Sequence, residues 1–73
     1  MTPRQIEFIK RRYPSGTTVE LKNMDDQYAP PVGTKGTVTF VDDLGTIHVN
    51  WENGSTLGVV LECGDRVSTV MGE

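Results

Sequence analysis

The sequence has only one cysteine, Cys63, and one histidine, His48, among its 73 residues. A lone cysteine excludes an internal disulfide and a zinc site built from several cysteines, and it suits a reducing compartment. Long apolar runs are also absent, because charged residues interrupt every hydrophobic stretch, and this argues against a signal peptide or a membrane span. We therefore expect a cytoplasmic protein that makes no membrane contact.

The usual signatures of catalysis are missing as well. There is no serine-based triad, phosphate-binding loop or dinucleotide fingerprint in the chain. A reactive thiolate at Cys63 would need a neighbouring base, and the only histidine belongs to a different predicted strand. A chain of this size buries only about 60% of its unfolded surface, so few residues can be spared from structure. We expect one small domain that is not an enzyme and holds no cofactor and no metal.

Charge is distributed unevenly along the chain, whose net charge is −3. Residues 1–13 contain four cationic side chains and one carboxylate, giving +3, whereas residues 14–73 contain three cations and nine carboxylates, giving −6. Cations near the end of a helix compensate the helix dipole, which is sufficient to explain the basic cluster. The alternative is a basic surface that contacts nucleic acid or an acidic partner.

The first thirteen residues carry the signals of a helix. Thr2 can cap it, Pro3 suits its first position and Gln5 can complete a capping box. Pro14 and Gly16 end the pattern. The apolar side chains fall on one stripe, with Phe8 on its flank: Ile6, Ile9 and Tyr13.

After Gly16 the apolar residues alternate, which indicates strands. Five strands are predicted, with these inward residues in the first four and a short fifth strand at 66–70: Val19 and Leu21; Val38 and Phe40; Ile47, Val49 and Trp51; Leu57, Val59 and Leu61. Asn53-Gly54 predicts a type I′ hairpin turn, and Asp43-Leu44-Gly45 predicts a longer turn that ends in a left-handed glycine.

A long polar connection separates the first two strands. Pro30 and Pro31 cannot join a central strand, while Gly33 and Gly36 allow a tight turn into the second strand. Short strands, one long loop and tight turns predict a mainly β fold, a small SH3-like five-stranded antiparallel barrel with one N-terminal α-helix. Residues 1–13 would form the helix and residues 14–73 the barrel, within a single domain.

Two stretches resemble a known family. PSGTTVELKNMDD at 14–26 and PPVGTKGTVTFVDDLGTIHVNWENGSTLGVV at 30–60 are similar to short domains of unknown function from Gram-positive bacteria, their phages and mobile elements. The likeness covers residues 14–70 and rests on the motif GTKG, VDD and HVNW. Family members usually have a proline-glycine pair after the fourth strand, where this chain has ECGD at 62–65. The resemblance implies a small β-barrel of phage or mobile-element origin that acts inside a bacterial host cell, and it implies no activity.

Asp42, Asp43, His48 and Glu52 are the residues that could suggest a metal or acid–base site. With Ile47 and its alternate neighbours facing the core, His48 points outward, and aspartates before a turn glycine usually bond to nearby backbone. Glu52 lies at the other end of the hairpin, about 20 Å from the two aspartates at about 3.3 Å per residue of strand. His48 would thus lack convergent ligands, and the sequence favours no metal centre here.

The same outward residues, together with the long loop, predict a binding surface. Small barrels often bind extended peptides beside their long first loop, and Tyr28 is the best single surface contact because no periodic pattern buries it. Trp51 is predicted to be a core residue. The candidate partner-binding residues are Asp25, Asp26, Tyr28, Asp42, Asp43, His48, Asn50 and Glu52.

These patterns favour a non-catalytic binding module. With the phage or mobile-element origin that the resemblance implies, its partner would be a host or phage protein, including a defence or nucleic-acid-processing protein that it would inhibit. One alternative is a structural subunit or homo-oligomer in which the helix stripe packs on another copy. A second alternative is nucleic-acid binding through cations on phosphates: Arg4, Lys10, Arg11, Arg12 and Lys35.

Overall fold

The computed structural model describes residues 1–70 and begins with helix α1, Pro3–Arg12. The Thr2 hydroxyl accepts a hydrogen bond from the Gln5 amide at 3.2 Å, and the Gln5 side chain accepts one from the Thr2 amide at 2.8 Å. This reciprocal pair satisfies two amides that a helix start otherwise leaves without partners. The predicted capping box is confirmed.

Four antiparallel strands form one sheet in the order β3-β2-β1-β4. The strands are β1 at Thr18–Asn23, β2 at Lys35–Val41, β3 at Ile47–Trp51 and β4 at Arg66–Thr69, and a 3₁₀ turn at Leu61–Cys63 precedes β4. The mainly β domain with one helix is confirmed. Residues 71–73, the end of the predicted barrel segment, lie outside the described residues.

The segment 57–61 does not form the predicted strand, and within residues 1–70 the sheet is an open one of four strands. In this segment only Val59 pairs with a strand, forming a single bridge to Ile47. Local partners take the backbone groups that a ladder would need: the Val60 amide donates to the Asp65 carboxylate at 3.0 Å, and the Val60 carbonyl accepts from the Cys63 amide at 3.0 Å.

The core lies between the helix and one face of the sheet. Its buried members are Ile9, Tyr13, Val19, Leu21, Val38, Val41, Ile47, Val49, Trp51 and Val59. Because Ile9 and Tyr13 are among them, the helix docks on its own sheet, and of the predicted stripe only Ile6 stays half-buried. Phe8 stays 66% exposed. Trp51 is confirmed as a core residue at 3% exposed.

A β-bulge in β2 changes which side chains face the core. Val38 pairs with Val49, but Phe40 pairs with His48, so Thr39 is an extra residue in the ladder. The extra residue reverses the alternation beyond it. Val41 is therefore buried, whereas Phe40 is 53% exposed on the outer face, and the prediction that Phe40 belongs to the core is wrong.

The two hairpin turns both end in a left-handed glycine whose amide bonds back to the carbonyl three residues earlier. The amide of Gly45 bonds to the Asp42 carbonyl and the amide of Gly54 bonds to the Trp51 carbonyl, with φ values of 88° and 92° at the two glycines. The left-handed Gly45 is as predicted. The type I′ turn is not, because within residues 1–70 no residue other than glycine has positive φ, so Asn53 lacks the geometry that this turn type needs.

Candidate binding surfaces

The corner between β2 and β3 is organised by Asp42. One carboxylate oxygen accepts hydrogen bonds from the amides of Leu44 at 2.9 Å and Thr46 at 3.0 Å. The other lies 2.8 Å from His48 Nε2. Since a carboxylate can only accept, Nε2 carries the proton in this contact. The turn-forming role predicted for an aspartate here is confirmed, and the partner of His48 is an addition that the sequence did not indicate.

Phe40 completes this corner. Its ring stacks on the His48 imidazole with centroids 4.3 Å apart and planes 5° from parallel. The bulge at Thr39 makes this possible, because it places Phe40 on the same face as His48. One sequence signal could have revealed it: Phe40 and Val41 are adjacent apolar residues in a strand, so one of them must face outward.

These contacts lower the pKa of Asp42. The hydrogen bond from His48 is the largest cause, followed by the amide of Thr46 and, with a smaller effect, that of Leu44. The stability that Asp42 contributes is therefore fully present above the ordinary aspartate pKa, and it is lost as the pH falls through the lowered native value.

We expect Asp42→Asn to reduce the difference in stability between pH 6 and about pH 2.5, because the substitution removes a group that binds its proton more weakly in the folded state than in the unfolded state. Urea unfolding at several pH values, followed by Trp51 fluorescence, measures this difference. Glu52→Gln is the matched control, since the Glu52 side chain forms no ion pair within residues 1–70. An equal acid sensitivity in wild type and Asp42→Asn would contradict the assignment.

The exposed Asp43 side chain forms an ion pair with helix α1. Its carboxylate lies 2.8 Å from the Lys10 ammonium, and this hydrogen bond is the main cause of a raised pKa of Lys10. Asp43 was predicted for an acidic surface and Lys10 for a basic one. The structure joins them in one exposed ion pair, so a partner that contacts either side chain has to compete with the other.

The loop 24–34 supplies a separate acidic surface. Asp26 accepts a hydrogen bond from the Tyr28 amide at 2.8 Å, whereas the Asp25 carboxylate has no hydrogen-bond partner within residues 1–70. The Tyr28 side chain is 73% exposed. The two aspartates, but not Tyr28, belong to what we name the acidic cleft, lined by Met24, Asp25, Asp26, Leu57, Gly58, Val60, Cys63 and Asp65.

The acidic cleft contains residues that the sequence did not single out. Asp65 is buried, and its carboxylate holds the Val60 amide, which fixes the wall opposite the loop. Leu57 and Val60 make that wall partly apolar. No sequence signal placed this wall beside the loop, because the segment 57–65 was interpreted as a strand and its end.

The remaining candidates lie elsewhere. Asn50 is exposed opposite Thr37 on the outer face of the sheet. Glu52 is exposed at the end of β3, where its amide donates to the Lys35 carbonyl. The eight residues predicted to bind a partner are thus divided among the acidic cleft, the Asp42 corner and the outer sheet face.

The five predicted phosphate-binding cations do not share one surface either. Lys35 alternates with the buried Gly36 in β2 and so faces away from the helix. The Arg12 guanidinium lies 5.8 Å from the ring centroid of its neighbour Tyr13. Arg4 and Arg11, by contrast, line a common shallow depression on α1.

Between Met1 and Val70, no group of three His, Cys, Asp or Glu side chains is close enough to hold a metal ion. In the same part of the chain, no helix has the length and apolar character that crossing a membrane requires.

Comparison with known proteins concerns nearly the whole described chain. A family model for a domain of unknown function, DUF4314, matches residues 2–70. The chain belongs to DUF4314. The prediction of a small uncharacterised domain family is thereby confirmed, and the DUF4314 match extends over the helix as well as the sheet. No curated protein and no solved structure matches this DUF4314 domain.

Proposed function

We propose that this DUF4314 domain is a non-catalytic protein-binding module that holds a basic segment of a partner in the acidic cleft. The observation that carries this proposal is the state of the carboxylates. Asp42 and Asp43 are occupied by His48 and Lys10, whereas Asp25 and Asp26 border an open cleft and form no ion pair within residues 1–70. Opposite charge on a partner would complement them.

The shape of the cleft favours an extended segment. A rim of carboxylates can bind lysine or arginine side chains, while Leu57 and Val60 offer apolar contact to the aliphatic part of those same side chains. Tyr28, in the same loop, adds a rigid aromatic side chain that loses little entropy when a partner covers it. We infer a partner segment that alternates basic and apolar residues.

An SH3-like arrangement is part of this proposal. Two features support it: Val59 extends the strand order beyond β3, and a 3₁₀ turn precedes the last strand. In small barrels of this kind the long first loop borders the peptide groove, which is the position of loop 24–34 in this chain.

The mechanism would be occupancy. By covering a basic surface of a host or phage protein, the domain would prevent that surface from contacting its usual ligand, including nucleic acid. Because the attraction is between exposed charges, added salt would weaken the complex.

We expect the double variant Asp25→Asn, Asp26→Asn to bind a basic peptide about fivefold more weakly than wild type, since exposed ion pairs contribute about 0.5 kcal/mol each. Asparagine keeps the side-chain oxygen that accepts the Tyr28 amide, so the loop is retained. Fluorescence anisotropy with a labelled ten-residue peptide of lysines, arginines and a central leucine provides the measurement.

The matched control is Glu7→Gln, Glu52→Gln, which removes two exposed carboxylates outside the acidic cleft. It should leave the affinity within twofold of wild type. Equal weakening by the two double variants would show that overall charge and not the acidic cleft attracts the peptide, and it would overturn the proposal.

A further inference from the structure

Phe8 is the most exposed large apolar side chain of α1. It lies on a ridge between two shallow depressions, and Arg4 lines both of them. The first depression is the more polar of the two and also includes Pro3, Glu7 and Arg11. The second is mainly apolar and also includes Met1, Gln5, Ile9 and Leu61. A flat apolar group could therefore contact the Phe8 ring and the second depression together.

The cations beside Phe8 differ from most others in the chain. Lys10 and Lys22 are paired with Asp43 and Glu20, and Arg66 donates to two backbone carbonyls. Arg4 and Arg11 form neither an ion pair nor a hydrogen bond within residues 1–70, although Glu7 lies one turn from each. Two guanidinium groups thus remain available on the face that exposes Phe8.

The spacing of these residues gives the face a definite geometry. Arg4, Phe8 and Arg11 stand at i, i+4 and i+7 and so lie on one side of the helix. With a rise of 1.5 Å per residue, Arg4 and Arg11 are about 10 Å apart along the axis, with Phe8 between them. An aromatic ring flanked by two cations is the arrangement that binds a base and the phosphates on either side of it.

We propose that the Arg4–Phe8–Arg11 face of α1 binds single-stranded nucleic acid. A base stacks on Phe8 over the apolar depression, and the adjoining phosphates contact the guanidinium groups of Arg4 and Arg11. An acidic peptide would satisfy the arginines without a flat group for Phe8. A membrane surface would need a broader apolar face than one exposed phenylalanine provides. This face is distinct from the acidic cleft, and the proposal does not depend on that cleft.

The test is fluorescence anisotropy of the full chain with a labelled twelve-nucleotide single-stranded oligonucleotide of mixed sequence, over a series of salt concentrations from about 20 mM. We expect wild type to bind at low salt. In the double variant Arg4→Gln, Arg11→Gln the slope of log affinity against log salt should fall by about 1.4, at roughly 0.7 per lost phosphate contact. Lys22→Gln, Lys35→Gln is the matched control, since both lysines lie in the sheet, and it should keep the wild-type slope.

Stacking is tested separately at Phe8. Phe8→Ala should weaken binding about fivefold, the lower end of the range for a stacked base, whereas Phe8→Trp should retain wild-type affinity. The exposure of Phe8 means that either variant should keep the native circular dichroism spectrum.

Four results would overturn the proposal. They are no oligonucleotide binding at the lowest salt, unchanged affinity in Phe8→Ala, equal losses in the arginine and lysine double variants, and binding of poly-glutamate as tight as that of the oligonucleotide. The last result would assign the face to acidic proteins.

Discussion

Replacing Trp51 by alanine is expected to remove a large part of the stability of the domain. Trp51 is 3% exposed in the core, and its indole N–H donates to the Leu57 carbonyl at 2.9 Å. Truncating a buried tryptophan typically costs about 3–5 kcal/mol. A 73-residue chain has a total of about 4–11 kcal/mol at about 0.05–0.15 kcal/mol per residue. Urea unfolding followed by far-ultraviolet circular dichroism measures the loss.

Two further variants separate the contributions of Trp51. Trp51→Phe keeps an aromatic ring in the core but removes the donor to Leu57, and we expect it to lose about 1–2 kcal/mol. Tyr28→Ala removes an exposed aromatic side chain and should stay within about 0.5 kcal/mol of wild type. If Trp51→Ala were as stable as Tyr28→Ala, the position of the indole in the core would be wrong.

Gly36→Val is expected to destabilise the domain by about 3 kcal/mol, at the upper end of the range for overpacked positions. A Cβ atom at position 36 would lie 2.5 Å from Val49 Cγ1, 2.8 Å from Trp51 Cε3 and 2.9 Å from the Asn50 carbonyl oxygen. The two side chains are buried and the third group is backbone, so none of them can move freely. The midpoint of urea unfolding, followed by Trp51 fluorescence, reports the change.

Thr37→Val is the control for this substitution. It introduces the same β-branched side chain one residue later in β2, where Thr37 is exposed on the opposite face. Its stability should remain within about 0.5 kcal/mol of wild type. Similar losses at the two positions would attribute the effect to valine in this strand and not to the close approach of Trp51.

The sequence singled out Gly36 as a turn residue, but the structure gives this glycine a different role. The sequence suggested that Gly33 and Gly36 both serve the turn into β2. Gly33, with φ at 97°, does adopt the left-handed geometry that turns require. Gly36 lies inside β2, where there is no room for a side chain, because the Val49 and Trp51 side chains of β3 pack directly against its Cα. Which side chain approaches a strand glycine is a tertiary contact that alternation alone does not contain.

Local signals predicted local structure well in this chain. The capping residues at Thr2 and Gln5 and the turn glycine at Gly45 act through neighbours a few residues away, so the sequence holds the information needed to place them. The same holds for the core face of β3, where Ile47, Val49 and Trp51 alternate without interruption and are all buried.

Predictions that depend on register or on distant partners were less successful. One extra residue at Thr39 moved Phe40 to the outer face and created its contact with His48. The Lys10–Asp43 ion pair joins positions 33 residues apart, and the acidic cleft joins loop 24–34 to the segment 57–65. None of these pairings has a sequence spacing that identifies it, because each depends on how separate elements dock.

The segment 55–60, which follows β3, covers part of the exposed edge of that strand. Strand edges with free amides can recruit a strand from another molecule. Here the outward amides of Ile47 and Trp51 are already bonded to the carbonyls of Val59 and Ser55. Because the segment 55–60 bends away after each contact, it presents no straight edge of its own to a further chain. The irregular segment 55–60 thus makes the β3 edge less accessible to a strand of another molecule than a bare strand edge would be.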